Sequence, residues 1–160
     1  MDKALLARVS KQAWFHRFPI GLPMALLEAM GASQVVQCAK ALEARGCSAI
    51  HVSSGGLHPA QAIPVGPGYQ VPLARAVKQA VGMPVVAVGM ITDFDHAEAI
   101  VATGDADLVA IARGILYDPR WPWHAAAHLG ASVAAPPQYL RSQPRQFPRL
   151  LVKSGGSANG

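Results

Sequence analysis

Cysteine is nearly absent from this sequence: Cys38 and Cys47, nine residues apart, are the only two. That spacing fits neither a CxxC redox pair nor a zinc ligand set, so both are expected to be free, buried thiols. Aromatic residues make up only 6% of the chain and the lysines and arginines stand singly, which leaves neither a stacking platform nor a basic stripe. A nucleic-acid reader is therefore not expected. Long apolar runs are missing too. The longest, 20–27 and 84–91, are broken by Gly or Pro and fall well short of the ~20 residues of a spanning helix, so no membrane partner is expected. The start, Met1-Asp2-Lys3, lacks a basic flank followed by an apolar run and a small-residue cleavage site. No secretory signal is read there, and a cytoplasmic protein is the expectation.

Charge is also sparse: 14% of the 160 residues are charged and 51% are hydrophobic, ample material for one folded core. The net charge of +5 fits an anionic cofactor and fits a chance excess of arginine equally well. From Ser33 onward the sequence alternates between two periodicities. Residues 33–45 carry Val35, Val36, Ala39 and Leu42 at helical spacing, with Gly46 just past the end. Residues 49–54 form a short β-rich run closed by Gly55-Gly56. A second helix is read over 71–81 with Gly82 as its stop, and 84–88 is read as a strand buried on both faces, closed by Gly89. Asp93 is a candidate N-cap for a helix through Ala102, with Gly104 beyond it. Residues 108–111 are a strand, followed by Arg113-Gly114 and another short helix. Three strand–loop–helix units with apolar strands and no hairpin signals predict a parallel α/β chain. Periodicity alone leaves a slice of a (β/α)8 barrel and an open doubly wound sheet both standing. Residues 1–32 take no assignment, residues 33–133 form the α/β region, and 134–160 make a proline-rich tail read as a flexible end from Lys153.

The chemistry-bearing residues fall directly after the predicted strands: Ser53-Ser54-Gly55-Gly56, Gly89-Met90 and Ala112-Arg113-Gly114. In parallel α/β folds that is the ligand side. Small residues there let backbone N–H groups approach a phosphate, and one arginine adds a cationic donor. The same glycines also serve tight turns without any ligand. His124 and His128, four apart, share a helix face, but no Glu or third ligand accompanies them, so a solvated face is read there and no metal.

Taken in order, His51-Val-Ser-Ser-Gly-Gly-Leu, Pro67-Gly-Tyr-Gln-Val71, Val86-Ala-Val-Gly-Met-Ile-Thr92, Asp105 through Arg113 to Asp118-Pro119, and Ala135-Pro-Pro-Gln-Tyr-Leu-Arg141 resemble the NADH:flavin oxidoreductase/Old Yellow Enzyme family. The similarity is greatest to its YqjM-like and xenobiotic-reductase-like branch, and it covers roughly 35–149. The resemblance implies the C-terminal portion of a (β/α)8 TIM barrel, about its last three β/α units, with FMN as cofactor and NAD(P)H as reductant. It places the FMN phosphate on Gly89 and Met90 after the penultimate strand and on Ala112 and Arg113 after the last, with Ser53, Ser54 and Gly55 near the flavin. Arg8-Val9-Ser10 resembles the strand end whose arginine contacts the flavin. Arg141 corresponds to an arginine that reaches into a neighbouring subunit's active site; an ordinary surface arginine is the other reading.

Several family features have no counterpart here: the first strand with its Pro and Cys or Thr near the flavin N5, the glutamine on the pyrimidine ring, and the His-x-x-His or His-x-x-Asn pair that binds the substrate carbonyl. The proton-donating tyrosine is absent as well, since Tyr69 lies in a different loop. A start-site artefact, a frameshift or a truncated gene would each yield this pattern. A partial barrel has two open edges, so pairing with a second copy or with a complementary N-terminal fragment, or marginal stability, is expected. Little or no ene-reductase turnover is expected from this chain alone. A non-catalytic phosphate- or flavin-binding module and an inactive remnant are the alternatives.

Overall fold

The computed structural model of the chain describes residues 32–54, 62 and 65–154. Arg8, Gly55 and all but one residue of the unassigned segment 1–32 lie outside them. The first helix among the described residues, α1 (Ala32–Ala44), buries Val35 and Ala39, one turn apart on one face. It ends where expected: Gly46 takes φ +88° and its N–H donates to the Glu43 carbonyl at 2.9 Å. Strand β1 (Ile50–Val52) follows. Helix α2 (Val71–Lys78) carries Pro72 in its first turn, where the missing N–H costs nothing, and buries Val71, Ala74 and Val77. Strand β2 (Val85–Ala87) leads into α3 (Phe94–Ala102). Asp93 caps α3, its carboxylate accepting from the His96 N–H at 2.8 Å. Strand β3 (Leu108–Val109), the short helix α4 (Arg113–Tyr117) and α5 (Trp121–His128) complete the unit.

The three strands form one parallel sheet in the order β1-β2-β3, with Val52, Ala87 and Val109 in register. Helices lie between successive strands, so the α/β class expected from the alternating periodicity is what the chain adopts. Val85 and Ala87 are fully buried against the residues of α1, α2, α3 and α5. One detail is corrected: β2 is not buried on both faces. The register row His51–Val86–Leu108 points the other way, and there Val86 and Leu108 are half-buried and His51 is exposed. Among the described residues the helices cover one face, so an all-apolar strand need not be buried on both.

The tail is also corrected. Residues 133–153 build a second, two-stranded parallel sheet from β4 (Val133–Ala135) and β5 (Leu151–Lys153), with a 3-10 helix, Pro137–Ser142, between them. Lys153 therefore sits in a strand rather than in a flexible end. Ala126, Ala135, Leu150 and Leu151 make a small core of their own, and the Leu151 N–H donates to the Gln143 side-chain oxygen at 2.5 Å. The cysteines are free, but both are half-buried rather than buried; Cys47 packs at the margin of the main core. No helix among the described residues is long and apolar enough to cross a membrane.

Carboxylates close the N-terminal edge of the main sheet. Glu43 Oε1 accepts from the N–H groups of Gly82 and Met83 at 2.8 and 2.7 Å. Asp107 Oδ2 accepts from the Val85 N–H at 2.9 Å and pairs with Lys78 at 2.8 Å. Asp105 makes a two-pronged bond with Arg75, at 2.5 and 2.8 Å, and the Arg75 hydrogen bond holds the Asp105 carboxyl below the usual aspartate range. The native state then binds fewer protons at this group than the unfolded chain. Its stabilisation is complete above the ordinary value near 3.8 and is lost as pH falls through and below it. Thermal melts from pH 7 to pH 3 should show part of the acid destabilisation vanish in Asp105→Asn. The difference is modest because Arg75 faces solvent. Parallel curves for the two proteins would exclude the linkage.

Candidate functional site

The C-terminal ends of β1, β2 and β3 share one edge of the sheet, because parallel strands in register all finish on the same side. The loops that begin there, Ser53-Ser54, Gly89 to Thr92 and Ala110 to Arg113, contain no carboxylate and one guanidinium. The opposite edge is populated by Glu43, Asp105 and Asp107. This asymmetry favours an anion at the C-terminal edge.

Ser53 is buried and Ser54 half-buried directly after β1. Gly89 is buried two residues after β2 and adopts φ +121°, a conformation that L side chains rarely take. A Cβ there would sit 3.2 Å from the Gln70 nitrogen, from Gln70 Oε1 and from a Tyr69 ring carbon. Met90 follows with φ +51°, the only non-glycine of positive φ among the described residues, and its side chain is 46% exposed. A left-handed methionine costs on the order of 1 kcal/mol, and strain of this kind collects at ligand-binding loops. Ala112 has φ −96°, ψ −81° and stands as the N-cap of α4, whose first residue is the exposed Arg113. Among the described residues no ion pair engages the Arg113 guanidinium. No hydrogen bond to another described residue engages the backbone N–H of Gly89, Met90 or Arg113.

The loop after β2 comes close to the start of α4: a Cβ on Gly114 would lie 3.7 Å from the Thr92 methyl and only 2.8 Å from Ile111. Trp121 fixes the same region from behind, its indole N–H donating to the Thr92 carbonyl at 2.9 Å. Two successive residues of positive φ whose N–H groups have no partner among the described residues, and an exposed arginine after the next strand, are donors of the kind that suit a phosphate.

The first and second loops are joined by a segment to which the sequence reading assigned no role. The Gly68 N–H donates to the Gly89 carbonyl at 2.7 Å. The Gln70 amide, 2% exposed, donates to the Ser54 carbonyl and lies 3.1 Å from Ser54 Oγ. The available signal was Pro67-Gly-Tyr-Gln itself, a turn sequence placed before a helix.

Arg141 follows later in the chain, between the two strands of the second sheet. It is exposed on the 3-10 helix, whose Tyr139 packs edge-on against Trp123 at 5.5 Å, with the Arg120 guanidinium over both rings at 4.8 and 5.4 Å. His124 and His128 pair with Asp118 and Asp95 at 2.6 and 2.9 Å. No group of three metal-ligating side chains exists among the described residues.

Comparison with known proteins gives these residues a context. The family model described as the NADH:flavin oxidoreductase / NADH oxidase family matches residues 8–131. The chain is 44% identical over 102 residues to an NADPH dehydrogenase of Geobacillus thermodenitrificans, covering 64% of this chain and 30% of that protein. It is 43% identical over 110 residues to an NADPH dehydrogenase of Halalkalibacterium halodurans, covering 69% and 32%. A third NADPH dehydrogenase, from Geobacillus sp. strain WCH70, is 42% identical over 114 residues, covering 71% and 33%. The matched region thus spans about a third of the length of each of these relatives.

Proposed function

The chain belongs to the NADH:flavin oxidoreductase / NADH oxidase family, and from that premise we propose that it is the FMN-phosphate-holding, C-terminal portion of a (β/α)8-barrel oxidoreductase. The observation that carries this reading is the donor array at Gly89, Met90 and Arg113. It is free of carboxylates, and Gly89 and Met90 take successive positive φ values of +121° and +51° with N–H groups that no described residue accepts.

In this reading the N–H groups of Gly89 and Met90 and the Arg113 guanidinium bind and neutralise the phosphate, which anchors the cofactor. Ser53 and Ser54, at the preceding strand end, line its ring side. FMN, when bound, supplies hydride acceptance from NAD(P)H and hydride donation to an activated alkene, quinone or nitro compound. The groups that orient such substrates have no counterpart in the chain's own sequence, so the isolated chain binds but turns over little. A second copy or a complementary N-terminal fragment would supply the missing part, and Arg141 would extend to a neighbouring subunit's site. Compartment is proposed as cytoplasmic.

The test is a titration of the purified chain with FMN, followed by flavin fluorescence, on wild type and Arg113→Ala. Losing a charged donor to a phosphate should weaken binding about 10- to 100-fold. The saturated sample is then given NAD(P)H and an enone. Binding without turnover supports the phosphate-holding module, whereas brisk enone reduction would mean that the chain is catalytically complete. Equal affinity of wild type and Arg113→Ala would remove Arg113 from the site.

A further inference from the structure

Gln70 is the most deeply buried uncharged polar side chain among the described residues, at 2% exposure, and it touches both of the loops that the proposed function uses. Its amide nitrogen donates to the carbonyl of Ser54 and lies within hydrogen-bond distance of Ser54 Oγ. Its Oε1 and backbone nitrogen stand 3.2 Å from where a Cβ of Gly89 would be, so Gly89 rests directly on Gln70. Two residues earlier, the Gly68 N–H donates to the Gly89 carbonyl at 2.7 Å. Gly68 is itself wedged in place: a Cβ there would meet the His96 ring at 2.7 Å, and its φ of +72° suits glycine.

Turn 66–70 is thus a strut between two strand ends that share no strand hydrogen bonds of their own beyond Val52 and Ala87. A buried primary amide is costly to leave unbonded, so Gln70 holds one geometry and transmits it to both loops. The Gly89 carbonyl is held by Gly68 and its α-carbon lies close against Gln70, which constrains the loop that carries the N–H groups at 89 and 90.

We propose that Gln70 is the positioning residue of this site: it sets the spacing between the Ser53-Ser54 loop and the Gly89-Met90 loop, and so the aim of the phosphate donors, without touching the phosphate. The inference rests on the phosphate-binding reading given above. It distinguishes Gln70 from a residue that merely stabilises the fold, because a defect in the aim of the Gly89-Met90 donors costs FMN more than riboflavin, which lacks the phosphate and feels only the Ser53-Ser54 side.

The experiment measures FMN and riboflavin binding to the full chain as wild type, Gln70→Met and Gln70→Asn, with amide hydrogen exchange at Gly68 read in the ligand-free proteins. Methionine keeps the length and loses the amide. Asparagine keeps the amide but is one methylene too short, and it covers the case in which the methionine variant does not fold. The expected result is a loss of about tenfold or more in FMN affinity, with a clearly smaller loss for riboflavin, and faster exchange at Gly68. Equal losses for FMN and riboflavin would overturn the inference and leave a fold-stabilising role. Unchanged FMN binding with unchanged Gly68 exchange would overturn it outright. Should wild type bind FMN no better than riboflavin, the phosphate-binding reading fails by itself. Gly68 exchange then still decides whether Gln70 holds the strut: acceleration supports it, and no change rejects it.

Discussion

Trp121→Ala is expected to lower stability by about 3–5 kcal/mol, the usual cost of emptying a buried tryptophan site, and to drop the melting midpoint by roughly 10–20 °C for a unit of this size. Trp121 is 7% exposed, stacks obliquely on Phe94 at 5.1 Å and belongs to the main core. Its indole N–H also satisfies the Thr92 carbonyl in the loop after β2. Two losses therefore coincide, a cavity between α3 and α5 and an orphaned carbonyl beside the proposed phosphate site. Trp121→Phe separates them: it refills much of the cavity and leaves only the carbonyl unpaired, for a loss of about 1–2 kcal/mol. Calorimetry or chemical denaturation of the three proteins checks the order. An alanine variant that loses less than the phenylalanine variant would show that the packing argument is mistaken.

Gly89→Val should cost about 2–4 kcal/mol and abolish measurable FMN binding. At φ +121° a branched side chain is sterically excluded, and three atoms of Tyr69 and Gln70 already stand 3.2 Å from the Cβ position. Relief requires the loop to rotate, which turns away the N–H groups of 89 and 90. Gly104→Ala is the control. Gly104 has φ +78° with nothing within 4 Å of its Cβ, so only the backbone term remains, about 1 kcal/mol, and ligand binding stays as in wild type. If both variants were equally mild, crowding at Gly89 would not be what constrains the loop.

Much of this was legible residue by residue. The spacing of Val35 and Ala39, the stop at Gly46, the cap at Asp93, the β-rich run around 50–52 and the apolar triplet at 85–87 each carry a local physical signature, and each element appears within a few residues of its expected place. The second sheet was not legible. Val133-Ala-Ala135 and Leu151-Val-Lys153 are too short to show a period, and they become strands only because they pair with each other across a proline-rich stretch. The role of Gln70 was hidden for the same reason: its partner Ser54 is sixteen residues away, and nothing local marks a glutamine as buried.

The sequence by itself determined the alternation of strands and helices, the loops that carry glycine and arginine, and the family resemblance, because these depend on neighbours within a turn or two of chain. Only the tertiary structure decided which faces are covered, that Ser54, Gly68 and Gly89 meet through the turn that carries Gln70, and that Arg141 sits on a 3-10 helix between the two strands of a small second sheet. Those outcomes follow from pairings between distant residues, where burial makes every polar group find a partner and the available partner is fixed by packing rather than by local pattern.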